Sequence, residues 1–265
     1  MKRTAVFAIV LLLGLLLASG CVSTPTSPVP GTPAPVPQEG RSRYVIGVDG
    51  NYPPFTYRDD SGNFTGFDIE AARWIADREG FDAEFVAVPW AGIIPALQEG
   101  SIDMIYSGMT VTLERQKVVE FTTPYYTVNK SVAVRAGSNH TMDDLYAGRL
   151  RVGAETGSTS ETWVERNLVA TGRMPASSMV LYSGISELTD GLVKGEIDAS
   201  VNEAPTQKLI IAGKPLVILG EIPTQEQYAV AVRKTDPGIK AMLDDGLQRL
   251  KADPYWQELR EKYGL

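Results

Sequence analysis

The chain has 265 residues, with 25 Lys and Arg against 32 Asp and Glu, one His, one Cys and a formal charge of −7. That acidity argues against non-specific nucleic-acid binding, which needs a basic face; a lone Cys excludes an intramolecular disulfide and any multi-cysteine zinc or iron–sulfur site, and a lone His excludes a His-rich metal centre. At about 150 residues per domain the length suits one large or two small domains, and 43% hydrophobic residues suffice for a core.

Lys2 and Arg3 precede an apolar run from Ala5 to Leu17. Its length suits the core of a signal peptide and is short for a membrane span. Ala18-Ser19-Gly20 lead straight to Cys21. Small residues before a lone Cys resemble a lipobox, where the thiol is lipidated and the chain is cut before it. The usual Leu three places earlier is Ala18 here, and a core Cys after an ordinary signal peptide is the alternative. From Val22 to Gly40 six prolines alternate with Ser, Thr and Gly, the composition of an extended polyproline-like tether rather than of a core. Residues 1–20 are thus expected to be a signal peptide and 21–40 a lipoprotein tether. The folded remainder would be held at the outer face of the cytoplasmic membrane through Cys21.

That remainder repeats itself. Tyr44-Val45-Ile46-Gly47-Val48-Asp49 has a counterpart in Leu150-Arg151-Val152-Gly153-Ala154-Glu155. Each reads as a buried strand leaving into a loop at a carboxylate. Leu97-Gln98-Glu99-Gly100-Ser101-Ile102-Asp103 recurs as Leu192-Val193-Lys194-Gly195-Glu196-Ile197-Asp198. Each reads as a helix stopped by Gly, then a turn into a new strand, Met104–Tyr106 or Ala199–Val201. Helical segments at 68–79, with Gly80 as stop, and at 160–169 lie between the paired signatures. Strand–helix alternation predicts parallel sheets covered by helices, and two copies predict two similar α/β lobes.

Ligands of open α/β sheets sit at the carboxyl ends of the strands. Here those ends are 49–52, 107–112, 155–160 and 202–203, rich in Gly, Ser, Thr and carboxylates. They carry neither a dinucleotide nor a P-loop fingerprint, and no cofactor is expected. Thr110 to Arg115 opens a helix, whose amides and dipole favour an anion, and Arg115 adds a two-pronged donor for a carboxylate. Arg115 could instead decorate the helix surface or pair with Glu114. Gly157 to Ser160 forms a second donor cluster, or simply an N-cap. Glu203 could accept from an ammonium, or be a solvated loop carboxylate. Tyr52 and Trp90 could clamp an apolar ligand body, whereas Phe55 reads as core. A carboxylate binder and an ammonium binder on opposite lobes describe an α-amino-acid clamp.

The stretch from Asp49 to Tyr126 resembles the polar-amino-acid solute-binding proteins of ABC transporters, family 3 of the extracellular solute-binding proteins. The resemblance rests on Tyr52-Pro53-Pro54-Phe55, Gly66-Phe67-Asp68-Ile69, Trp90-Ala91-Gly92-Ile93-Ile94-Pro95-Ala96-Leu97, Gly108 to Arg115 and Phe121 to Tyr126. It continues to the terminal Tyr255-Trp256-Gln257-Glu258-Leu259 and Lys262-Tyr263-Gly264. It implies a two-lobed periplasmic-binding-protein fold of type II. Each lobe would be a mostly parallel sheet flanked by helices, with two hinge crossovers. Lobe one would comprise 41–127 and 223–265, and lobe two 128–222.

By the same resemblance Arg115 grips the ligand α-carboxylate. Thr110, Gly108 and Ser107 contact its carboxylate or amino end, and Ser158 and Thr159 supply lobe-two donors. Tyr52 and Trp90 would sandwich the side chain. Glu203 stands where the family usually has Asp, which holds the α-amino group. Asp49 and Glu155 match side-chain contacts, and two carboxylates there favour arginine, lysine or glutamine. The implied function is capture of an extracellular L-amino acid by a monomer that delivers it to an ABC permease with its separate ATPase.

Two other readings stay open. A few proteins of this fold are cyclohexadienyl or arogenate dehydratases, with a catalytic acid about one helical turn past the amino-group anchor. That position is Thr206 here, which is no carboxylic acid. The same module can also serve as a ligand sensor for a separate receptor. His140, in Asn139-His140-Thr141, reads as a surface-loop residue, and a histidine-dependent hydrolase would have to use that imidazole.

Overall fold

The computed structural model describes residues 40–265. The expected leader, Cys21 and the tether up to residue 39 lie outside the described residues. Among the described residues no helix is long and apolar enough to cross a membrane.

In chain order the first half runs β1 (Ser42–Val48), β2 (Asn51–Tyr52), β3 (Thr56–Arg58), β4 (Phe64–Thr65), α1 (Phe67–Glu79), β5 (Phe81–Ala87), α2 (Ile93–Glu99), β6 (Met104–Ile105), α3 (Leu113–Gln116) and β7 (Glu120–Phe121). The middle runs β8 (Tyr126–Arg135), α4 (Met142–Tyr146), β9 (Val152–Glu155), α5 (Thr159–Val164), β10 (Met179–Tyr182), α6 (Ile185–Lys194), β11 (Ala199–Glu203), α7 (Ala204–Ile210) and β12 (Leu216–Tyr228). The chain closes with β13 (Ala231–Val232), α8 (Pro237–Ala252) and α9 (Pro254–Tyr263).

Two five-stranded sheets result, ordered β5-β1-β6-β13-β7 and β10-β9-β11-β8-β12. The first three strands of each are parallel, as the strand–helix alternation predicts. The remaining pairs are antiparallel, so four of the five strands in each sheet run the same way, as expected, and one, β13 or β8, runs against them. The cause is the connectivity: β13 and β8 each arrive from the other lobe and enter beside β6 and β11 from the opposite direction. β8 and β12 pair antiparallel over most of their length, with a register shift between Ile222 and Glu226. Gln225, inside that shift, has φ 51°.

Each sheet buries both faces. In lobe one the apolar side of α1 (Ile69, Ala72, Ile75, Ala76) packs with Leu243, Leu247 and Leu250 of α8 over one face. Ile93 and Leu97 of α2 cover the other with Ile102 and Ile105. In lobe two Leu145 and Val164 pack on one side, and Leu188 and Leu192 of α6 on the other. Each fully buried aliphatic side chain contributes about 1.5–3 kcal/mol. Helices α1, α2 and α6 all end at a left-handed Gly: Gly80, Gly100 and Gly195.

The repeated L-x-x-G-x-I-D signature has a structural cause. Arg233 donates to the carbonyls of Leu97 and Ile102, at 3.3 and 2.6 Å, and to Asp103 Oδ1 at 2.9 Å. In the other lobe Arg135 donates to the carbonyls of Leu192 and Ile197, at 3.1 and 2.6 Å, and approaches Asp198 at 3.5 Å. The second oxygen of each Asp accepts a backbone N–H, from Val45 of β1 and from Arg151 just before β9. Each motif is thus a helix stop clamped by an arginine from a neighbouring strand or its edge, and it serves the fold. Arg233→Met would strand two carbonyls and is expected to cost about 1–3 kcal/mol in urea unfolding. An unchanged midpoint would remove the clamp from the account.

Candidate functional site

The carboxyl ends of the parallel strands converge on a cleft between the lobes with about 300 Å³ of open space. It is lined by Asp49, Tyr52, Trp90, Gly108, Thr110 and Arg115 from lobe one, and by Glu155, Ser158, Thr159 and Glu203 from lobe two. All the candidate residues except Ser107 are brought together there. The Ser107 side chain is fully buried. Its hydroxyl pairs with Thr56 Oγ1 at 2.7 Å and accepts from the Asp49 N–H at 2.9 Å. Its hydroxyl is a support for Asp49 rather than part of the wall.

Arg115 is 8% exposed and faces the cleft. It donates to the carbonyls of Thr110 at 2.8 Å and Gly157 at 3.2 Å, one from each lobe, and lies 5.4 Å from the Trp90 ring centre. Glu114 turns outward and pairs instead with Arg166 of lobe two at 2.9 Å. Thr112 caps the turn by accepting from the Arg115 N–H at 3.1 Å. That turn, α3, is four residues long, so its dipole is small. Anion attraction here rests on the guanidinium.

Gly108 has φ 56° and its N–H donates to Asp68 Oδ2 at 2.7 Å. A Cβ there would come within 2.7 Å of the Tyr52 ring and 3.0 Å of Tyr228, so the wall admits only glycine. Asp68 also accepts from the Tyr125 hydroxyl at 2.8 Å. Burial pushes its carboxyl up to about 7, against the lowering effect of these two bonds.

At the lobe-two wall, Ser158 caps α5 by accepting from the Glu161 N–H at 3.1 Å, the use its alternative reading gave it. Thr159 donates to Glu226 at 2.7 Å and accepts from Lys130 at 2.8 Å. Glu203 ends β11 and is buried. Its Oε1 pairs with Lys130 Nζ at 2.9 Å and its Oε2 accepts from the Tyr52 hydroxyl at 3.2 Å. Burial opposes its ionisation, but the Lys130 charge and hydrogen bond prevail and hold its carboxyl below the ordinary range. Lys130 and Glu226, which pair at 3.0 Å, were not evident from sequence. They lie on β8 and β12, where no motif marks them.

Asp49 and Glu155 are the other two carboxylates of the cleft lining. Among the described residues neither is paired with a Lys or Arg. Burial raises the Asp49 carboxyl, with Glu187 adding to it and an Asn51 N–H bond opposing. Glu155 is 7% exposed. Burial, then the charges of Asp49, Glu203 and Glu187, push its carboxyl up to about 9. A buried and a half-buried carboxylate with further carboxylates beside them are costly to ionise until a cation joins them. Among the described residues no group of His, Cys, Asp and Glu is arranged to hold a metal ion.

Residues 44–265 match the family model for bacterial extracellular solute-binding proteins, family 3. The L-cystine-binding protein TcyJ of Escherichia coli K12 is 27% identical over 228 residues, covering 84% of this chain and 83% of that protein. An ancestral arginine-binding protein bound to arginine superposes with a TM-score of 0.77 at 32% identity, covering 84% of this chain and 98% of that one. An ancestral amino-acid-binding protein described as a precursor of cyclohexadienyl dehydratase superposes with a TM-score of 0.75 at 32% identity, covering 84% and 95%. With the fold and the family model in agreement, this chain belongs to the bacterial extracellular solute-binding proteins, family 3.

Proposed function

We propose that this protein captures an L-amino acid with a cationic side chain, arginine or lysine, and delivers it to the permease of an ABC transporter. The carrying observation is the charge layout of one cleft. Arg115 lies within electrostatic reach of Glu203, and Glu155 within reach of Asp49 and Glu203, all on one cleft in which Asp49 and Glu155 are paired with no Lys or Arg among the described residues. That layout is the complement of an α-carboxylate, an α-ammonium and a side-chain cation. Gly108 and Thr110 would add contacts to the amino end, Ser158 and Thr159 to the carboxylate, and Tyr52 and Trp90 would enclose the methylenes. A ligand touching both lobes favours closure by its differential affinity for the closed form.

Lobe one would run over 41–127 and 223–265 and lobe two over 128–222. The hinge would use the β8–β12 ladder at its register shift. The protein would act as a monomer. A thermal-shift screen against the twenty amino acids tests the reading. Stabilisation by arginine or lysine above the others is expected, and no shift with any amino acid would end it.

A dehydratase is the second reading, favoured by the likeness to the dehydratase precursor. Against it stands Thr206, a buried hydroxyl at the position where such an enzyme would place its acid. No turnover of prephenate or arogenate is expected.

Export and anchoring follow from the leader, the lone Cys21 and the proline-rich tether. Cys21→Ser should move the protein from the membrane fraction to the soluble exported fraction, read by fractionation and by the lipid mass on the tether peptide. An unlipidated wild-type Cys21 would contradict the anchor.

A further inference from the structure

Lys130 is 0% exposed, on a strand hydrogen-bonded on both sides, to β11 and β12. Its ammonium sits between two carboxylates, Glu203 at 2.9 Å and Glu226 at 3.0 Å. It also donates to Thr159 at 2.8 Å and Ser160 at 3.1 Å. A buried cation left with one carboxylate would neutralise it. Here a second carboxylate shares the cation, and the trio keeps a net single negative charge. The oxygens divide the work. Glu203 gives Oε1 to Lys130 and turns Oε2 towards Tyr52 in the cleft wall. Glu226 gives Oε1 to Lys130, while its Oε2 accepts from Thr110 of lobe one at 3.1 Å and Thr159 of lobe two at 2.7 Å.

We propose that Lys130 and Glu226 are specificity-determining residues that set the charge of the amino-group pocket. Glu226 shares the Lys130 ammonium, and Glu203 therefore retains the negative charge that selects a ligand α-ammonium. Neither residue lines the cleft; both act through Glu203, as positioning residues. The trio offers one uncompensated charge and so suits one monovalent cation. Glu226 also ties this charge balance to closure, because its Oε2 is bonded from both lobes and it sits beside the register shift of β12.

The inference rests on the amino-acid reading above and is tested by a charge count. L-arginine and 5-guanidinopentanoic acid, which lacks only the α-amino group, are titrated calorimetrically into the purified wild type, Glu226→Gln and Lys130→Gln/Glu226→Gln. The wild type should prefer arginine. Glu226→Gln keeps the shape, neutralises the pocket and should weaken arginine binding by about 10- to 100-fold, with the des-amino analogue little changed. The double variant returns the pocket to a single negative charge and should restore most of the preference. A merely structural role would lower both ligands together. An unchanged arginine-to-analogue ratio in Glu226→Gln, or no recovery in the double variant, would overturn the charge count while leaving wild-type binding intact. A wild type that binds neither ligand would instead defeat the cationic-amino-acid reading, and this inference with it.

Discussion

Arg115→Ala is expected to abolish amino-acid binding and leave the protein folded. The guanidinium already touches a carbonyl from each lobe, Thr110 and Gly157. It is therefore held where a ligand carboxylate would meet its fork. Each charge-assisted bond is worth about 1.5–3 kcal/mol, so losing a two-pronged contact should weaken binding by at least about 100-fold. The fold depends on Arg115 far less. Its turn is capped by Thr112, and the lobe-one core is built from residues of α1, α2, α8 and α9. Arg115→Lys keeps the charge but loses the fork and should fall between. Calorimetry with thermal melts alongside checks both halves. Unchanged affinity in Arg115→Ala would remove Arg115 from the site.

Glu155→Gln should act in opposite directions on stability and binding. In the ligand-free protein its carboxyl is pushed up to about 9 from an ordinary 4.5, first by burial and then by Asp49, Glu203 and Glu187. A raised acid contributes stability that is fully present below the unfolded value and lost as pH rises through the folded one. Wild type and variant should therefore melt alike below about pH 4.5. The variant should gain an advantage between pH 4.5 and 9, with each kcal/mol worth about 2–4 °C at this size. For a cationic ligand the sign reverses. Wild-type Glu155 ionises against the ligand's charge, and the amide cannot, so arginine affinity should fall about 10- to 100-fold. A variant that melts lower at pH 8 and binds arginine as well as wild type would contradict both claims. Such opposed effects mark a residue kept for binding at the fold's expense.

The same distinction explains what the sequence made legible. The strands ending at Asp49 and Glu155, and the helices stopped at Gly80, Gly100 and Gly195, are local patterns, and they form as read. The cleft lining could be anticipated because strand ends converge in this topology and the family motifs fall on them. Ser107 lay in the right loop, but its hydroxyl turns inward, and a strand-end position does not fix the side chain's direction. Arg135 and Arg233 were missed because their partners lie 57 to 63 and 130 to 136 residues away. Lys130 and Glu226 were missed for a related reason. A Lys inside Asn129-Lys130-Ser131 looks like a solvated strand residue until the β11 and β12 pairings close around it. The one reversed strand in each sheet likewise arrives from the other lobe, which local periodicity does not encode.

The central claim is that a side-chain cation is held between Asp49 and Glu155 while Arg115 holds the α-carboxylate. Parallel titration with L-arginine and L-citrulline tests it most directly, because citrulline matches arginine in shape and lacks the charge. Arginine should bind at least about tenfold more tightly. Equal affinities, or tighter citrulline, would contradict the claim.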